Sequence, residues 1–356
     1  MIALRPLQPA ACSSPSIKEE QIRMARRIFL PLLLIGAILF ALTIGRYPLE
    51  IRDIAAFFQA MAGLKPMAPD RYQLLHNIIV EIRLPRILGA ALVGAALASS
   101  GAAFQAVFRN PLVSPGILGV LGGASFGAAL GILLFGNWAL IQLSAFAMGL
   151  VAVGVGLLIA NMFGQASMIM LVLGGMISAA LFTSALSIVK YTADPYEQLP
   201  AIVYWLMGSL GGLDMTQIRW AAIPIVGGLM VLALFGRALD ALSMGDDEAR
   251  ALGVPAQQVR YGVIGAATLV SALSVSLAGM IGWVGLVVPH VVRLALGPGN
   301  ARLLPASAFS GAIFLVAADC LSRSITRSEI PIGILTELLG IPAFIIVLRR
   351  ARQGWT

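Results

Sequence analysis

The sequence predicts an all-α integral membrane protein of about ten spans, and three observations predict it. Apolar residues make up 59% of the 356 positions, charged residues only 11%, and the mean hydropathy is +0.92. A soluble domain carries roughly 25% charge. The apolar residues are gathered into runs close to the roughly 20 that a helix needs to cross a bilayer core. Glycine recurs inside those runs, as it does where helix backbones approach one another in lipid.

Taken in order, residues 1–26 read as a polar tail on the cytoplasmic side, 27–350 as one membrane domain and 351–356 as a second short tail. The segment Pro9-Ala10-Ala11-Cys12 has the outline of a lipoprotein cleavage site, but no apolar stretch precedes it. The ten predicted spans are 29–45, 87–107, 117–135, 140–162, 168–189, 220–239, 261–279, 283–296, 306–321 and 330–348. The run 261–296 is too long for one crossing and is divided where Gly279, Gly282 and Gly285 cluster. The run 199–210 is too short to span and reads as a surface or re-entrant helix. Gly119, Gly123, Gly127 and Gly131 recur at every fourth position, which is ordinary close helix packing. Five spans in each half mean that an internal repeat, if present, is an inverted five-plus-five.

An even number of spans puts both termini on one side. With the termini inside, most Lys and Arg fall in inner segments and most acidic residues in outer ones. Membrane orientation thus accounts for the net charge of +8 without nucleic acid as a partner. Lipid is the partner the composition demands.

Several chemistries are missing. The lysines are Lys18, Lys65 and Lys190, and none follows a glycine, so no phosphate-binding GxxxxGK loop exists. Any nucleotide hydrolysis must belong to another polypeptide. Cys12 and Cys320 have no metal spacing, and His76 and His290 lie on opposite sides of the predicted topology. No catalytic, cofactor or metal site is expected. Glu337 is the one acidic residue expected well inside a span, facing either a pathway or another helix. Asp319 sits near a span end, and Pro289, His290 and Arg293 near the inner end of the eighth span, in packing and helix-end roles.

The inner loop between spans six and seven carries a short helix signal. Asp246 and Asp247 suit a helix N-terminus, Gly253 a C-terminus, and Pro255 forbids continuation. Ala249 and Leu252, three apart, are expected to share a small face. Such a helix either lies solvated in its loop or fits a partner's groove; these residues leave both readings open.

Four stretches then resemble one family. They are Arg83-Leu84-Pro85-Arg86 leading to Gly94 and Gly101, and Asn110-Pro111-Leu112-Val113-Ser114-Pro115-Gly116. The third runs from Gly279 through Gly282-Trp283-Val284-Gly285 to Pro289-His290 and Arg293, and the fourth joins Glu329-Ile330-Pro331-Ile332-Gly333 to Thr336, Gly340 and Pro342. With the loop pattern Gly245-x-x-x-Ala249-x-x-Leu252-Gly253, they resemble FecCD-type permeases of ABC importers for iron-siderophores, haem and cobalamin. The resemblance implies a bacterial inner-membrane permease that is not itself an enzyme. It implies an ATP-binding subunit, an extracytoplasmic substrate-binding protein and a second permease copy or close relative as partners. It implies ATPase coupling through Gly245, Glu248, Ala249, Leu252 and Gly253, docking of the binding protein on Arg83, Arg86 and Arg323, and a gate at Ser167 and Met168, while Glu337 is a pathway candidate on its place in the span alone. An iron-siderophore is the first expected cargo. An ion-coupled secondary transporter would instead need several buried ionisable groups.

Overall fold

A computed structural model describes residues 17–162, 167–326 and 328–353. The tail through residue 16, the turn 163–166, Arg327 and the last three residues lie outside the described residues. The described chain is helical: α1 (Ile17–Thr43), α2 (Ile51–Met61), α3 (Pro69–His76), a π-helical segment (Asn77–Arg83) and α4 (Leu84–Val107) come first. A 3₁₀ turn (Pro115–Leu118) leads to α5 (Val120–Leu134), α6 (Trp138–Met162), α7 (Met168–Thr192) and α8 (Gln198–Leu206). There follow α9 (Met215–Leu234), α10 (Gly236–Met244), α11 (Asp246–Ala251), α12 (Ala256–Ala278), α13 (Val284–Leu296), α14 (Asn300–Ser324) and α15 (Ile332–Gln353).

Among the described residues, six helical stretches are long and apolar enough to cross a membrane, the longest running unbroken from Pro69 to Val107. Four shorter apolar helices, Ile28–Thr43, Val120–Leu134, Val284–Leu296 and Ile332–Ile346, complete the ten expected spans. Several boundaries moved by a few residues, and two of the shifts have a visible cause. Gly119 adopts a left-handed φ of 90° behind Pro115, so the third span begins at Val120 instead of 117. The expected span 220–239 stops at Leu234, and Gly236 opens a separate helix, α10. The break in 261–296 falls where the glycines put it: α12 ends at Ala278 and Gly279 turns with φ 72°. The run 199–210 yields α8, which buries Ile202 and Trp205 and exposes Tyr204.

The centre of the bundle is α4, whose apolar window is 78% buried, against 22% for α9 at the periphery. Small residues make that centre possible. A Cβ on Gly94 would lie 2.2 Å from the Gly311 carbonyl oxygen of α14, and a Cβ on Gly311 the same distance from that of Gly94. The glycine stripe of α5 works likewise: a Cβ on Gly127 would stand 2.2 Å from the Ser144 carbonyl oxygen of α6. In lipid, where no hydrophobic force draws helices together, such contact supplies the association.

The π-helical segment has a local cause. Pro85 has no amide to donate and its ring crowds the carbonyl four residues back, so the preceding turn widens. At the same end of the bundle, the Ile332 and Gly333 amides of α15 donate to the carbonyls of Gly208 and Met207, just beyond α8 (3.2 and 3.1 Å). The first amides of a helix have no partner within it, and this loop provides one.

Candidate functional site

Two polar constellations mark opposite ends of α4. At its N-terminal end, the π segment and Pro85 place Arg83 and Arg86 three residues apart, both buried. Arg83 donates from Nη1 to the Leu42 carbonyl and from Nη2 to the Tyr47 carbonyl. Arg323, in the last turn of α14, donates to the Ile44 carbonyl (3.0 Å). The last carbonyls of a helix are unsatisfied and carry partial negative charge. Arg83 and Arg323 therefore cap the C-terminus of α1.

Arg86 has a different task. Its Nε donates to Asp319 Oδ1 (2.8 Å) and its Nη1 to Glu329 Oε2 (2.7 Å). Asp319 is 1% exposed and also stands 3.0 Å from Arg323 Nε. Glu329, half-exposed, reaches toward Arg46 at 4.0 Å. Arg46 and Glu329 edge a cavity of about 590 Å³ whose walls include Trp138, Tyr204 and Ser209.

The expected docking arginines Arg83, Arg86 and Arg323 are all buried at this end of the bundle. Their forks are turned inward and engaged, because a guanidinium desolvated in the bundle is tolerable only when paired and hydrogen-bonded. Beside the cavity, Arg46 is an exposed cation, 67% accessible. Of the two acids noted in the spans, Asp319 is buried, while Glu337 lies within α15 and is exposed beside Leu338 and Ile341. Among the described residues no side-chain hydrogen bond reaches Glu337. Its carboxylate faces Gly282, where a Cβ would lie 3.8 Å away.

The other end of α4 meets the short helix α11. Asp246, its first residue, accepts from Arg260 Nη2 on both oxygens (3.0 and 2.8 Å) and from Arg109 Nη2. The Arg260 hydrogen bond above all, together with the Arg260 charge and the Arg109 contacts, holds the Asp246 carboxyl below the usual carboxylate range against the opposing effect of burial. Gly245 is favoured at the start by its φ of 152°, which L side chains rarely adopt. Gly253 turns away at φ 76°.

The expected shared face of Ala249 and Leu252 does not form. The helix ends at Ala251, so Leu252 lies past it and is 64% exposed, while Ala249 is fully buried against its own chain. The surface offered outward includes Met244, Asp247, Glu248, Arg250, Leu252 and Gly253.

Of the expected gate, Ser167 accepts from the Met170 amide (3.2 Å) and caps α7, and Met168, half-buried, packs on the core. His290 meets the Phe344 ring edge-on, and Arg293 donates to Gln105 Oε1 (3.1 Å), which are packing and helix-end roles.

The described helices form a bundle of apolar spans with a short loop helix at one end and a charged vestibule at the other, the architecture of a multi-span membrane protein. The FecCD transport family model matches residues 32–350, and the chain belongs to that family. It is an ABC importer permease of the FecCD type, and ATP hydrolysis falls to a separate subunit. The chain is 37% identical to the molybdate import system permease MolB of Haemophilus influenzae, over 91% of this chain and 95% of that one. It is 38% identical to a permease assigned to an iron chelatin transport system in Helicobacter pylori, over 78% and 84%. A solved structure, an inward-facing conformation of a transporter assigned to the metal-chelate ABC type, superposes with a TM-score of 0.80 at 36% identity, covering 91% of this chain and 98% of that one.

Proposed function

We propose that this chain forms, with a second copy or a close relative, the pathway of a binding-protein-dependent importer in the bacterial inner membrane. Residues 27–350 are the permease domain, and the tails 1–26 and 351–356 face the cytoplasm. The Arg86 end is then the outer face and the α11 end the cytoplasmic one. A soluble binding protein delivers the cargo to the outer rim, where Arg46 and Glu329 are exposed. Arg83, Arg86 and Arg323 form the internal frame of that rim. An ATPase subunit engages α11 and drives alternating access. Glu337 lines the pathway between the two permeases, since a carboxylate in a spanning helix is costly against lipid; Ser167 and Met168 stand at its cytoplasmic gate.

The cargo we propose is a metal chelate, an iron-siderophore complex first. The observation that carries this reading is the outer cavity of about 590 Å³ with Trp138 and Tyr204 in its walls. Cavities of about 300–1,000 Å³ suit drug-sized organic ligands. Molybdate is the second reading, favoured by the nearly full-length likeness to MolB. The test is reconstitution of the permease with its ATPase subunit and binding protein in liposomes. ATP-dependent uptake of a radiolabelled ferric siderophore is expected, with haem and cobalamin as competitors. Uptake of molybdate with no uptake of the siderophore would replace the first reading with the second.

A further inference from the structure

The α11 helix has six residues and buries only Ala249. Apolar packing of one alanine cannot fix its orientation, since burying a methyl group is worth only about 0.8 kcal/mol. Glycines with positive φ flank it on both sides, Gly245 at 152° and Gly253 at 76°. Left to packing alone, α11 would swivel between two glycine pivots, and a force applied to it would be dissipated there.

One carboxylate prevents this. Asp246 accepts from Arg260 on α12 and from Arg109, just beyond the end of α4. Arg109 also donates from Nε to the Leu242 carbonyl in the last turn of α10 (2.8 Å). Three elements therefore meet at the Asp246 side chain, and α10 joins them through Arg109. The preceding helix is fastened separately: Asp240 of α10 accepts from the Asn300 and Ala301 amides at the start of α14 (2.5 and 3.4 Å). Ser243 Oγ accepts from Asn300 Nδ2 (3.2 Å). The helices so reached, α4, α12 and α14, are the central ones, with apolar windows 78%, 67% and 61% buried.

We infer that Asp246 is the positioning residue that makes α11 move as one body with α4 and α12, so that displacement of the loop helix becomes displacement of the bundle's centre. It touches neither cargo nor nucleotide; it acts through Arg109 and Arg260. This inference rests on the proposed engagement of α11 by the ATPase subunit.

The test uses the complete permease–ATPase complex in lipid nanodiscs, with Cys12 and Cys320 replaced by serine. Spin labels are placed at Arg250→Cys on α11 and Gly265→Cys on α12, where open space surrounds the glycine. The clamp requires one narrow label–label distance, the same without nucleotide and with ATP plus vanadate. Asp246→Asn and, separately, Arg260→Gln are expected to lose that single distance while the complex stays assembled. Asp246→Glu, which keeps the charge, is expected to restore it; a merely structural requirement for the aspartate shape would not be met by glutamate. Narrow, unchanged distances in Asp246→Asn, or a native distance that shifts with ATP, would overturn the inference. Thiol cross-linking of the Arg250→Cys variant to the ATPase subunit tests the underlying reading independently: its absence in a complex with Asp246 intact removes the engagement itself.

Discussion

Arg86 and Asp319 stand 233 positions apart in the chain and 2.8 Å apart in space, and their ion pair joins α4 to α14 where both are buried. Two charges taken out of water repay their desolvation only when the geometry is good, and removing one leaves the other uncompensated. Asp319→Asn is therefore expected to destabilise the permease by about 3–5 kcal/mol. The double variant Arg86→Met/Asp319→Leu should recover most of that loss. Thermal unfolding in detergent measures both, and equal losses in the single and double variants would show that the pair is not the cause.

The α5–α6 contact predicts a contrast between two glycines. Gly127→Val places a side chain against the Ser144 carbonyl, where even a Cβ would stand at 2.2 Å. A Cβ on Gly154 would meet nothing within 4 Å. Gly127→Val should cost roughly 1–3 kcal/mol through overpacking, and Gly154→Val should leave the melting temperature nearly unchanged. Similar melting temperatures for the two variants would contradict the packing.

The Asp246 clamp has a pH signature. Its carboxyl is held below the usual range by Arg260 and Arg109, the charged groups that face it from α12 and from the end of α4. A depressed folded-state pKa contributes stability that is complete above the unfolded value and is lost as pH falls through the folded one. The α11–α12 distance should stay narrow through neutral and mildly acidic pH and broaden only below the ordinary carboxylate range of about 4. As the site is half-exposed, the associated stability is about 1 kcal/mol or less. Broadening near neutral pH would assign the transition to another group.

Glu337 is exposed among apolar neighbours on α15. Glu337→Gln should lower cargo uptake by the reconstituted importer while leaving ATP hydrolysis in place. Uptake equal to that of the native protein would take Glu337 out of the pathway.

The spans were legible because each needs about 20 apolar residues, and Gly279 and Gly282 announced the break inside 261–296. The α2 and α3 helices were not anticipated. The signals were present: apolar Ile51, Ile54, Phe57, Phe58 and Met61 at helical spacing, and Pro69 at a first helical turn. They are too short to register as spans. The arginines at 83, 86 and 323 were recognisable as a group, but their inward engagement was not, because their partners lie on α1, α14 and the segment before α15. Likewise Asp246 read as a helix-dipole residue, and nothing local revealed that Arg109, 137 positions earlier, would share it. Pattern reports what a residue's own element requires; long-range pairing is decided by how elements assemble.

The amides of Ile332 and Gly333 are tied to the carbonyls of Gly208 and Met207. The head of the last helix cannot lean outward unless the stretch following α8 goes with it, or those bonds are surrendered. Two widely separated parts of the chain are thereby yoked into one leaf of a door at the vestibule, and whatever unlatches one side unlatches both.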